Sequence, residues 1–318
     1  MLTRVVGGLL VGYAVGSTAV RLYDGDEFRA IQALSRTLSR TTGLLMALPI
    51  PDPTLREAIY KGFSLWNDAN LAEVELPAVM YPSFGDFFTR RLRKGARPAV
   101  ARAQSSGEQG LLVSPVDGRM LVHGKVTAQS TLEQIKGQSF TLQEFLGPLY
   151  DEALVASPPE GKALFYCVIY LSPRDYHRIH SPAHWAVSTR ALFPGLLLSV
   201  APSFVQRVPR VFSRNERLLL AGSWPHGFFS LTAVGATNVG SISLVHEPLL
   251  RTNLPLALDQ DLPAPLLRPY PLPLLAILGR ELATFHLGST VVLIFHAPSD
   301  FAFKHGPHDR VFLGDSLS

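Results

Sequence analysis

Beyond about Phe84 the chain is cut into short apolar and β-branched runs by Gly, Pro and Asn, and that punctuation leaves little room for long helices. The runs are Leu111–Val113, Arg119–His123, Ala163–Leu171, Trp185–Ser188, Gly227–Val234, Val239–Val245 and Thr290–Phe295. Short strands separated by turn residues predict a β-dominated core. Residues 255 to 273 hold six prolines with leucines between them, which predicts a stiff extended loop rather than a helix or inner strand. Cys167 is the only cysteine, so no internal disulfide can support this core, and its apolar surroundings mark it as buried.

The N-terminal part has a different pattern. Val5 to Val20 is an uncharged run bracketed by Arg4 and Arg21, with Gly8, Gly12 and Gly16 four apart on one helix face. It reads as a retained membrane anchor with a small-residue packing stripe, with a signal-peptide core or part of a mitochondrial presequence as the alternatives. From Glu27 to Arg40, Phe28, Ile31, Leu34 and Leu38 recur at helical spacing, with Arg29, Arg36 and Arg40 elsewhere on the wheel. A basic amphipathic helix of this kind suits a lipid surface. Pro49, Pro51 and Pro53 then break the chain, and a second helix is expected over Thr54 to Trp66. The class expected is α+β: N-terminal membrane-associating helices in 1–75, and a β-dominated catalytic core in 76–318. The formal charge of +4 suits an anionic surface or an acidic substrate, and 47% hydrophobic residues fit a membrane-associated globular enzyme. No nucleic-acid partner is expected.

Four segments carry residues capable of chemistry. Leu287-Gly288-Ser289-Thr290 precedes the apolar run Val291 to Phe295. A glycine followed by a hydroxyl residue at the mouth of a strand suits attack of that hydroxyl on its own backbone. Asp117, in Ser114-Pro115-Val116-Asp117-Gly118-Arg119, reads first as a turn residue. His177 and His180 stand three apart just past a strand, and Pro173 and Pro182 around them favour a loop in which both face one pocket. The fourth segment, Trp224 to Ile242, is rich in small residues that let strands approach closely. His177, His180 and His184 have spacing open to zinc, but Pro182 stops a helix from presenting them and no further ligands complete a set, so no metal is expected. Asp, His and Ser together form an oxygen-nucleophile constellation. Ser289 lacks a Gly-x-Ser-x-Gly elbow, which weakens the ordinary esterase reading. Two alternatives stay open: a serine hydrolase using Asp117, His180 and Ser289 without self-cleavage, and a non-catalytic membrane-binding relative.

Taken together, these motifs resemble the phosphatidylserine decarboxylase proenzymes over roughly residues 80 to 318. The resemblance is carried by Phe84-Gly85-Asp86-Phe87-Phe88-Thr89-Arg90, Gly95-Ala96-Arg97-Pro98, Ser114 to Arg119, Asp175 to Pro182, Phe193-Pro194-Gly195, Asn215-Glu216-Arg217, Gly235 to Ile242 and Leu287 to Thr290. The block from His226 to Ile242 is closest to the mitochondrial branch. The chain departs from the family pattern at Leu192, Ala201 and Ala283. The first two bear on head-group contacts, and none touches Asp117, His180, Gly288 or Ser289.

The resemblance implies that Asp117 orients His180 and that His180 deprotonates Ser289. The Ser289 oxygen then attacks the Gly288 carbonyl, and the resulting ester is cleaved by elimination. The dehydroalanine left at 289 hydrolyses to a pyruvoyl group with loss of ammonia. A large chain (1–288) and a small chain (289–318) result and stay associated. The pyruvoyl cofactor is the electron sink: the amine of phosphatidylserine joins it as a Schiff base, loses CO₂ and leaves as phosphatidylethanolamine, with His177 as proton donor. The membrane implied is the mitochondrial inner membrane, with a bacterial inner membrane as the alternative and a homodimer left open.

Overall fold

Val291 to Phe295 has no alternation of apolar and polar residues, and its place in the structure explains why. In the computed structural model, which describes residues 26–127, 130–135, 138–237, 241–253, 263–286 and 290–318, this run lies inside a strand of the largest sheet. The strands, in chain order, are β1 (Gly118–Lys125), β2 (Thr131–Ile135), β3 (Gln138–Thr141), β4 (Lys162–Tyr170), β5 (Arg178–His180), β6 (Trp185–Phe193), β7 (Arg217–Trp224), β8 (Gly227–Val234), β9 (Ile242–Leu244), β10 (Leu266–Ala276), β11 (Glu281–Phe285), β12 (Thr290–Pro298) and β13 (Arg310–Val311). Eight of them form one sheet in the order β10-β6-β7-β8-β12-β4-β1-β13, paired antiparallel throughout. β5, β11 and β9 form a second sheet, and β2 and β3 a hairpin. The α+β expectation therefore holds at the level of a mixed chain built on a large antiparallel sheet.

Both faces of the large sheet are covered. Val291, Leu293 and Phe295 of β12 enter one core with Phe165, Cys167 and Ile169 of β4. Val292 and Ile294 enter the other with Leu164, Tyr166 and Val168. A strand buried on both sides reads as a continuous apolar run. Cys167 lies fully buried, and burial pushes its thiol up to about 12.

The helices before the sheet are α1 (Asp26–Ala47), α2 (Pro53–Asn67), α3 (Phe84–Phe88) and α4 (Pro98–Ser105). Asp52 caps α2 by accepting from the Thr54 and Leu55 amides, and Pro53 occupies the first turn. Tyr60 of α2 stacks on Phe87 of α3, with ring centroids 4.4 Å apart. α1 forms where amphipathicity predicts it, but its wheel is not the expected one. Arg36 is buried, donates to the Gly195 carbonyl (2.8 Å) and pairs with Glu216 (3.1 Å), while Leu34, Leu44, Leu45 and Leu48 are exposed. The run Val5 to Val20 lies outside the described residues. Among the described residues no helix is long and apolar enough to cross a membrane.

Three further expectations are corrected. The described part of the proline-rich segment contributes an edge strand, β10, whose register with β6 shifts between Pro269 and Leu274. Proline is tolerated there because an outer edge needs no ladder donors. Leu111 to Val113 forms no strand; it makes only the isolated bridge Val113↔Ser316. The histidine segment is not wholly a loop, because Arg178–His180 is β5, paired with β11.

Candidate active site

β4 ends at Tyr170, whose two neighbours bring the site together. Tyr170 pairs with Arg119 of β1 on one side and with Thr290 of β12 on the other. The starts of β1 and β12 therefore share one end of the sheet, two strand spacings or roughly 10 Å apart. Asp117 immediately precedes β1. Gly118 after it cannot carry a side chain, since a Cβ there would sit 2.5 Å from the Tyr170 carbonyl oxygen. That close approach holds Asp117 against the end of β4. The chain leaving β4 supplies both histidines, His177 just before β5 and His180 at its end. Gly288 and Ser289 lie outside the described residues, between His286 and Thr290. On the near side, the Phe285 amide donates to the His177 carbonyl (2.9 Å).

Asp117 is buried and engaged by Arg97 rather than by a histidine. Arg97 Nε donates to its Oδ1 (2.9 Å), Arg97 Nη2 donates to its Oδ2, and the Leu313 amide donates to Oδ1 (2.8 Å). Arg97 also holds Glu73 (2.8 Å). Burial works against the Arg97 charge, but the bonds to Asp117 and Glu73 outweigh it and hold its pKa above the ordinary value. The Asp117–His180 contact implied by the resemblance is not made here.

His180 is held at both ring nitrogens. Nδ1 lies 2.8 Å from the Gly279 carbonyl, which can only accept, so Nδ1 carries the proton. Nε2 then accepts from the Tyr176 hydroxyl at 3.0 Å. Burial lowers the His180 pKa against the opposing pull of the Gly279 carbonyl and Glu281, so the ring is neutral at pH 7. This tautomer leaves the basic lone pair on Nε2.

His177 is the opposite case. It is fully buried, its ring centroid 4.1 Å from that of Phe88, and among the described residues neither ring nitrogen has a hydrogen-bond partner. Burial, then the Arg90 charge, pushes it down to about 3, against a weaker favourable effect of the Asp175 backbone. The Thr290 hydroxyl is likewise buried and unpartnered. Unsatisfied buried polar atoms are uncommon, so both groups are open to a partner that the described residues do not supply. His184 is exposed.

A sequence model described as phosphatidylserine decarboxylase matches residues 84–318. This chain belongs to the phosphatidylserine decarboxylase family. The mitochondrial phosphatidylserine decarboxylase proenzyme of Rattus norvegicus is 38% identical over 312 residues, covering 89% of this chain and 72% of that protein. That of Caenorhabditis elegans is 40% identical over 328 residues, covering 99% and 81%. Proenzyme 1 of Saccharomyces cerevisiae is 31% identical over 368 residues, covering 88% and 71%. The family match begins at Phe84, the first residue of α3.

Sequence reasoning did not assign roles to Arg97 or Tyr176, although both stand inside motifs that carry the family resemblance. A buried carboxylate next to a glycine signals the need for a cation, but nothing in the spacing names Arg97 as its source. Gly279 contributes only its carbonyl, which no side-chain pattern can reveal.

Proposed function

We propose that the chain is a proenzyme that cuts itself between Gly288 and Ser289, and that the resulting two-chain enzyme decarboxylates phosphatidylserine to phosphatidylethanolamine. The observation that carries the reading is a neutral, tautomer-fixed His180, with its lone pair on Nε2, close enough to Asp117 at the start of β1 to feel its charge. His180 Nε2, once released by Tyr176, takes the Ser289 hydroxyl proton, and the oxygen attacks the Gly288 carbonyl. The amide becomes an ester. Elimination across Cα–Cβ of residue 289 then frees the Gly288 carboxylate, and hydrolysis leaves a pyruvoyl group with release of ammonia. Asp117, locked by Arg97, fixes the β1 end of the site and holds a negative charge near His180.

The buried His177 nitrogens and Thr290 hydroxyl, unpartnered among the described residues, fit such a group, since both can donate to a carbonyl. The pyruvoyl ketone would supply an electron sink for the charge left when CO₂ departs. His177 acts on the substrate side. An anionic substrate arriving beside it favours the protonated ring, and that proton replaces the lost carboxylate. The curated relatives are named mitochondrial, and we place this enzyme at the mitochondrial inner membrane, attached through its N-terminal helices.

Intact-mass spectrometry tests the reading. The native enzyme should yield a fragment starting at residue 289 with a pyruvoyl end, and Ser289→Ala should stay one chain of about 34.8 kDa. A Ser289→Ala protein still cut at 288/289 would overturn it.

A further inference from the structure

A cavity of about 840 Å³ opens between α2 and the sheet end and reaches the candidate active site at Asp117 and Tyr176, both of which line it. Its wall is rich in guanidinium groups, and most are already matched. Arg97 is held by Asp117 and Glu73, Arg310 by Asp175 (2.8 Å), and Arg174 by the largely exposed Asp68 (2.7 Å). Lys61 at the rim pairs with Glu57.

Arg90 is the exception. It is 4% exposed, and among the described residues no carboxylate stands within ion-pair distance. Its Nη2 donates to the Arg174 carbonyl (2.9 Å) and its Nη1 weakly to the Phe88 carbonyl (3.4 Å), while Nε has no partner. A buried guanidinium is costly unless an anion faces it, and its planar fork suits phosphate oxygens. Arg174 stands beside it; its partner Asp68 lies in water, where the pair contributes little, and the Arg174 Nε is 4.0 Å from Asp175 inside the cavity. A second cavity shares Arg174 and Arg310 and adds Arg119. The mouth of the larger cavity has an apolar stretch beside Lys61 and Asp68: Leu65 lines it at 85% exposure, and Trp66, the next residue of α2, is 74% exposed. An apolar lip above a cationic floor matches a lipid, whose chains leave the headgroup at its glycerol end. The volume accommodates a headgroup.

We propose that Arg90, with Arg174, binds the phosphodiester of a phospholipid headgroup in this cavity and so aims the lipid at the adjoining active site. The proposal rests on the lipid substrate of the reading above. Arg90 is here a positioning residue, acting on the phosphate rather than on the reacting carbon.

Isothermal titration calorimetry on the full-length, self-processed protein at low salt tests it with glycerophosphoethanolamine, which carries the phosphodiester and has no carboxylate to lose. Glycerophosphoethanolamine should bind, ethanolamine alone should not, and Arg90→Gln should weaken binding at least tenfold. Arg174→Gln, at a more exposed position, should weaken it about threefold and serves if Arg90→Gln does not fold. Unchanged binding in the folded variants overturns the proposal. Arg90-dependent binding of inorganic phosphate at equal or higher affinity assigns the site to free phosphate and overturns the lipid reading of the cavity. A protein that self-cleaves and decarboxylates, yet binds the probe independently of Arg90, loses this proposal and keeps the proposed function. An uncut protein that binds it through Arg90 does the reverse.

Discussion

His177 shows how burial alone sets a residue's chemistry. Full burial beside Arg90, with neither nitrogen partnered among the described residues at hydrogen-bond geometry, holds the ring neutral and pushes its pKa down to about 3. The folded value lies below the unfolded one, near 6.5, so the unfolded chain binds the extra proton as pH drops. Stability contributed by keeping this ring neutral is complete above about pH 6.5 and is lost progressively below it. We expect His177 to cost the fold about 2 kcal/mol between pH 7 and pH 5. Urea titrations at the two pH values should show a smaller acid loss in His177→Gln by about that amount, and equal losses would refute the account. The two histidines were identifiable from the sequence as a pair near one pocket, but their separate surroundings were not. Gly279 and Tyr176 reach His180 from different parts of the chain, and Phe88 and Arg90 reach His177 from before the sheet begins.

At the scale of elements, strands were legible where side chains were uniformly apolar and illegible where packing required small residues. β4, β8 and β12 follow their apolar runs closely. β7 was missed because Ala221, Gly222 and Ser223 interrupt it, and Gly222 is needed: a Cβ there would lie 1.9 Å from the Ala186 carbonyl of β6. α1 was legible as a helix but not in its docking, since a charged residue on its inner face contradicts the ordinary amphipathic rule. Arg36 is tolerated there only because Glu216 waits in the core, where it also accepts from the Asn253 amide (2.6 Å). Burial raises the Glu216 pKa and Arg36 opposes that rise. Arg36→Met should leave an unmatched buried carboxylate, costing on the order of 3–5 kcal/mol or releasing α1 from the sheet. Hydrogen exchange should show residues 26–47 losing protection while β4 and β12 keep theirs. Adding Glu216→Gln should recover most of the loss; a double variant as damaged as the single one would mean that the pair is not the clamp.

The whole molecule sets an unusual condition on the proposed cut at 288/289. The small fragment would begin beside β12, which sits between β8 and β4 and pairs with β4 over its full length, from Thr290↔Tyr170 to Pro298↔Lys162. Val291 through Phe295 have no exposed surface at all. The same fragment supplies β13 against β1, and the Leu313 amide that holds Asp117. Cutting there would break one covalent bond and leave the β12 and β13 pairings in place. The two chains should co-elute on size exclusion in native buffer and part only in denaturant; a small chain that leaves under native conditions would contradict this architecture. Refolding should then separate the two forms. In the uncut Ser289→Ala protein, closing β12 into the sheet is intramolecular, so its rate should not depend on concentration. In the cut enzyme the central strand must be recaptured from solution, and the yield should rise with protein concentration. A cut enzyme that refolds as efficiently as the uncut variant at every dilution would place β12 at an edge of the sheet rather than between β8 and β4.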